Sequence, residues 1–164
     1  MRGWLFLFIV AVLLPARAWS DGHHIRPNPV LTPGRSVAGV TVGELCERGY
    51  ARRMRDLSNA VKRQVFAAYG LTGNRLGFCA GPRGCEVDHL ISLELGGDND
   101  IPNLWPEPYD GPWNAADKDR LENQLHRLVC ANRISLEAAQ TSIAKDWIAA
   151  YRLYVGDGRP EADR

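Results

Sequence analysis

CEVDHLISLELGGDNDIPNLWPEPYDGPWNAADKDRLENQL, residues 85–125, is the stretch on which the reading of this chain turns. It opens with a short run suited to a strand, Glu86-Val87, which ends on an acid and an imidazole, Asp88-His89. A loop through Gly96-Gly97-Asp98-Asn99-Asp100 follows. The chain returns as a second short run, Asn103-Leu104-Trp105, broken by Pro106 and Pro108. Beyond Gly111-Pro112 a helix is expected to begin at Asn114 and to carry Leu121 and Leu125 on one face. Two short strands and a helix can bring Asp88, His89 and the helix start together. That suffices for a small metal site with a base beside it.

On the C-terminal side, the spacing of Leu121, Leu125, Leu128 and Val129 predicts a helix over 115–129. Ser135 is placed to cap a further helix reaching Tyr154, with Leu136, Ala139, Ile143, Trp147, Ala150 and Tyr154 as its core stripe. From Gly156 the sequence is a polar tail. On the N-terminal side, residues 71–84 form a glycine-rich loop, and Leu57, Val61, Val65 and Ala68 predict a helix over 57–69. Ser58 or Asp56 caps that helix and Gly70 stands where a C-terminal cap belongs. Val40 to Leu45 reads as a short strand or turn leading to Cys46. Residues 19–40, rich in Pro, Gly and His, read as an extended lead-in; His23-His24 there suits a metal ion, but a solvated terminal segment explains it better.

Residues 1–18 are not counted as fold. A basic start, the unbroken apolar run WLFLFIVAVLL over 4–14, and Ala16-Arg17-Ala18 as a small-x-small cleavage site describe an export signal. The run is shorter than the roughly 20 residues a spanning helix needs. Cleavage after Ala18 removes Arg2 and Arg17 and leaves 18 basic against 19 acidic residues. About 146 residues suit one domain, expected over 41–155. Near-zero net charge excludes a broad electrostatic grip on a polyanion, so any such site is local. The densest basic stretch holds Arg48, Arg52, Arg53, Arg55, Lys62 and Arg63; it is either a solvated helix face or a phosphate-docking surface.

Export, periplasmic or extracellular, makes disulfides the natural use of four cysteines. Cys79 and Cys85 are close enough to shut a small loop, leaving Cys46 with Cys130; three pairings are formally possible and this is the most economical. Zinc is the rival use, disfavoured by the lack of any Cys-x-x-Cys pair.

Each residue of the central stretch has a plain reading. His89 alone is a core histidine, Asn103 a turn former, and Asn114 with Asp117 an ordinary helix start. Hydrolysis of a phosphodiester, by contrast, needs a base to activate water and a cation against the charge building on phosphate. An imidazole titrates near neutral pH, and hard oxygens of Asp and Asn suit magnesium or manganese. Neighbours on a strand face opposite sides, so Asp88-His89 should sit at a strand end.

In this order the residues resemble the HNH nuclease family, whose ββα-metal motif carries a histidine ending the first strand, an asparagine in the second-strand region, and a histidine or asparagine at the helix. These correspond to Asp88-His89, to Asn103 within Asn103-Leu104-Trp105, and to Asn114 within Asn114-Ala115-Ala116-Asp117-Lys118. The chain departs from the pattern where Asn114 replaces the more usual histidine. The flanks are also similar to small exported bacterial proteins with this motif. The resemblance implies an α+β fold, mainly helical, with a ββα-metal core over 85–130, flanking helices and disulfide staples. It implies a divalent-metal-dependent endonuclease acting on DNA, with RNA as a further substrate and Mg²⁺ or Mn²⁺ as cofactor. His89 would be the base, Asp88 and Asn114 the metal ligands, and Asn103 the residue that fixes the loop and orients His89. Asp117 is a reserve ligand, Lys118 a phosphate contact and Glu86 a supporting group on the face of Asp88. Arg52, Arg53, Arg55, Lys62 and Arg63 would bind nucleic acid, and His126 is structural. Two rivals stand beside this: a non-catalytic exported protein of the same shape binding a partner or envelope component, and a hydrolase of another phosphate ester.

Overall fold

The computed structural model describes residues 25–71 and 82–156. The expected export signal, His23-His24, Cys79 and the tail beyond Gly156 lie outside these residues. Helix α1 spans Val42–Leu45, α2 Tyr50–Met54, α3 Asn59–Ala68, α4 Ala115–Cys130 and α5 Leu136–Tyr154. Strands β1, Cys85–His89, and β2, Leu104–Pro108, pair antiparallel, with Asp88 opposite Trp105 and His89 opposite Leu104. The fold is thus α+β and largely helical around a two-stranded sheet.

Burial accounts for the order of the layers. One face of the sheet, Cys85, Val87 and Leu104, packs on Val65 and Phe66 of α3. The larger core lies between α4 and α5, where Leu121, Leu125 and Val129 meet Ala139, Ile143, Trp147 and Ile148, with Ile91 and Leu95 from the loop after β1. At roughly 1.5–3 kcal/mol for each fully buried large apolar side chain, this core is what fixes α4 beside the sheet.

Local chemistry sets the helix ends. Ser58, Asn114 and Ser135 each accept a backbone N–H of their own first turn. Gly70 follows α3 in the left-handed region, φ +75°, where a side chain would be strained. Three expectations are corrected. Residues 42–45 form a helix, not a strand or turn, because Thr41 and Glu44 close a capping box. Pro106 and Pro108 do not end β2; in a two-stranded sheet both strands are edges, and residues two apart present their nitrogens to the same, unpaired side. α5 is interrupted at Asp146, φ −162° and ψ 97°, whose carboxylate caps Ile148 and Ala149 and restarts the helix.

The lead-in is docked from residue 25 onward. Asn28 N–H donates to the Tyr69 hydroxyl, Tyr69 to Thr32 Oγ1 at 2.7 Å, and Thr32 to Leu104 O at 2.8 Å, a relay that ties the segment to the start of β2. Cys46 and Cys130 form a disulfide joining the end of α1 to the end of α4. Cys85 is disulfide-bonded too. Among the described residues no helix is long and apolar enough to cross a membrane, and this, with the disulfide, is compatible with export.

Candidate active site between the sheet and the fourth helix

The second face of the sheet is acidic. Alternation along β1 puts Glu86 and Asp88 on it, and antiparallel register adds Glu107 from β2. Against them α4 sets Lys118, with no exposure, and Glu122. Lys118 Nζ donates to Asp88 Oδ2 at 2.8 Å, to the His89 carbonyl at 2.6 Å and to Glu122, and lies 3.6 Å from Glu107 Oε2. A buried ammonium is tolerated because acceptors surround it.

Three carboxylates share that one ammonium, and they cannot all ionise. Burial pushes the Asp88 carboxyl up, but the Lys118 charge leads a set of opposing contacts that hold it well below the usual carboxylate range. Burial drives Glu107 well above its ordinary value, against Lys118, and the Asp88 charge adds to the rise. Burial likewise carries Glu122 to about 8 despite Lys118 beside it. Lys118 itself, disfavoured by burial, is held far above the ordinary lysine value by Asp88, Glu107 and Glu122. The pocket is short of positive charge.

His89 ends β1 and is 1% exposed. Its Nε2 lies 3.0 Å from Asn99 Oδ1, while Asn99 Nδ2 donates to Met54 O. Asn99 therefore presents an oxygen to the ring, so Nε2 carries the proton. Nδ1 is left on the side of Asp88, 3.7 Å from Oδ1. Asn103, fully buried, accepts from Ile91 N–H at 2.9 Å and Arg35 N–H at 3.2 Å, and donates to Ile91 O and Asp98 O. It clamps the loop that carries Asn99.

Asp88, His89, Glu86 and Lys118 are thus brought together. Asn114 is engaged elsewhere: its Oδ1 accepts Ala116 N–H at 3.0 Å and its Nδ2 donates to Gly111 O. Asp117 closes the same capping box. Lys118, expected to meet a phosphate, is committed to the carboxylates inside. Arg52 and Arg53 lie on α2, Arg55 follows it, and Lys62 and Arg63 lie on α3; Arg53 pairs with Glu47 at 2.9 Å. The sequence reading missed Glu107, Glu122 and Asn99. Glu122 was legible as a partner four residues from Lys118. Glu107 was hidden because the second strand was ended before Pro106.

In the acidic pocket Glu107 Oε1 is buried without a hydrogen-bond partner, and Lys118 is the cation that faces the ionised Asp88. Asn114 is not part of that pocket, as it caps the helix. Elsewhere, Cys46, His126 and Cys130 could hold a metal ion, their ligand atoms lying within 4.8 Å of one another. No family model, curated protein or solved structure matches the chain.

Proposed function

We propose that the chain is an exported, divalent-metal-dependent phosphodiester hydrolase of the HNH type acting on DNA, with RNA as a further substrate. The observation that carries this is the His89 ring, held through Nε2 by Asn99 with Nδ1 turned to the ionised Asp88. Nδ1 takes a proton from water as the water oxygen bonds to phosphorus, and the leaving oxygen departs with a proton from solvent. Asn99 orients the ring, and Asn103 holds the loop bearing Asn99. Asp88 and Glu107 would hold Mg²⁺ or Mn²⁺, and the ion would supply neutralisation of charge on the phosphate. The basic side chains of α2 and α3 receive the polyanion.

Incubating the oxidised mature protein with plasmid and Mg²⁺, then repeating with His89→Ala, tests this. Nicking that falls by about 10²- to 10⁴-fold in the variant is expected. Intact plasmid with the parent protein, or equal nicking by both, overturns it.

A second reading is favoured by Lys118, whose ammonium already stands among the carboxylates, and by the burial of His89. On it the domain is a non-catalytic module of the same shape that binds a partner or envelope component. Mn²⁺ separates the two: under the catalytic reading it raises the melting temperature and Asp88→Asn removes the rise, whereas under the second neither protein responds.

A further inference from the structure

At the far end of α4 from the acidic pocket, His126 and Cys130 stand four residues apart on one helix face, with Cys46 opposite at the end of α1. His126 Nε2 lies 3.4 Å from Cys130 Sγ, and Cys46 is exposed. In the oxidised chain Nε2 donates its proton to Leu45 O at 3.1 Å. His126 also lines a cleft of about 370 Å³ with Leu45, Glu94, Arg48 and Arg52. In that cleft Glu94 Oε2 is buried with no hydrogen-bond partner, an acid oxygen lacking a cation or donor.

We infer that Cys46, His126 and Cys130 form a redox-exclusive site for a thiophilic divalent cation such as Zn²⁺, separate from the acidic pocket. A small dithiol reductant supplies two electrons and two protons; the Cys46–Cys130 bond breaks and two thiols form. A cation then displaces both thiol protons and binds two sulfurs, while the His126 proton moves to Nδ1 and frees Nε2 as third ligand. Two thiolates and an imidazole are the softer donors that suit Zn²⁺ or Co²⁺ and not Mg²⁺. Ion and disulfide are alternatives, because the same sulfurs cannot serve both. Either one keeps α1 joined to the end of α4. Cys46 is exposed, so an ion reaches the sulfurs without unfolding, and the cleft reaches His126.

Co²⁺ titration under anaerobic conditions tests the inference in a Cys79→Ser, Cys85→Ser chain, so that only these two thiols are present. After reduction by a dithiol and removal of the excess, a thiolate-to-cobalt charge-transfer band is expected that saturates at one equivalent of Co²⁺ in an Asp88→Asn background, and Zn²⁺ should displace it. The oxidised chain should show no such band. His126→Ala, checked by circular dichroism for an intact fold, should bind more weakly by at least the roughly 10- to 100-fold that losing a supporting group costs a metal site. Absence of the band in the reduced chain, or equal affinity in folded His126→Ala, overturns the site. An Asp88→Asn chain should bind Co²⁺ here unchanged, so failure of the nuclease reading leaves this result standing.

Discussion

Lys118 holds together a cluster that would otherwise repel itself. Replacing it with Met removes the ammonium from three buried carboxylates and is expected to cost about 3–5 kcal/mol, read from urea unfolding at pH 8. At pH 5 the cost should be smaller, since the orphaned acids can then take protons. An unchanged urea midpoint at both pH values would mean that the cluster is neutralised in some other way. Glu122 makes a signed prediction of its own. Its carboxyl titrates near 8 in the fold against 4.5 as the ordinary value, so between those pH values the native state holds a proton that the unfolded chain has lost. Its contribution to stability is fully present below pH 4.5 and falls as pH rises through 8, on the order of 5 kcal/mol in all. Glu122→Gln should flatten the decline between pH 5 and pH 8. A variant as steep as the parent would remove Glu122 as its cause.

At the scale of elements, the loop between the strands is the part that positions the base. Asn103 satisfies two N–H groups and two carbonyls across it. Asn103→Ala leaves several of these buried and unpaired and should destabilise by about 3 kcal/mol or more, measured by urea unfolding. If nicking is observed in the parent, it should be lost with Asn103→Ala even where the variant remains folded, because Asn99 no longer holds the ring. Gly97 is required for space: a Cβ there would stand 1.7 Å from Ile91 O. The glycine pair and the Asn-Leu-Trp run were visible as punctuation. That their hydrogen bonds meet on one asparagine depends on the loop closing back upon β1.

At the scale of the molecule, the Cys46–Cys130 bond closes a separation of 84 residues. Cys46→Ser with Cys130→Ser should lower stability by about 4 kcal/mol in the chain-entropy account; a denaturation midpoint equal to the parent's would place the constraint elsewhere. The basic side chains of α2 and α3 belong to the same scale, since they would act together on a polyanion. Arg52→Ala with Arg53→Ala is expected to reduce the slope of log binding constant against log salt by about 1.8 for duplex DNA. An unchanged slope would leave both arginines as solvated surface.

What the residues determined alone were the elements with strong local signals. The helices expected over 57–69, over 115–129 and from Ser135 to Tyr154 follow from apolar spacing and stand at 59–68, 115–130 and 136–154, the break at Asp146 being no part of that pattern. The pairing of Cys46 with Cys130 followed from counting and economy. The tertiary structure decided what local patterns cannot carry: that β2 runs through two prolines, that Glu107 and Glu122 converge on Lys118, and that Asn99 rather than Asn103 touches His89. Periodicity reports which face of an element is apolar, through interactions a few residues apart. Which charges share a pocket is set only when sheet and helix pack, because burial then makes each ionisation depend on groups distant in the chain.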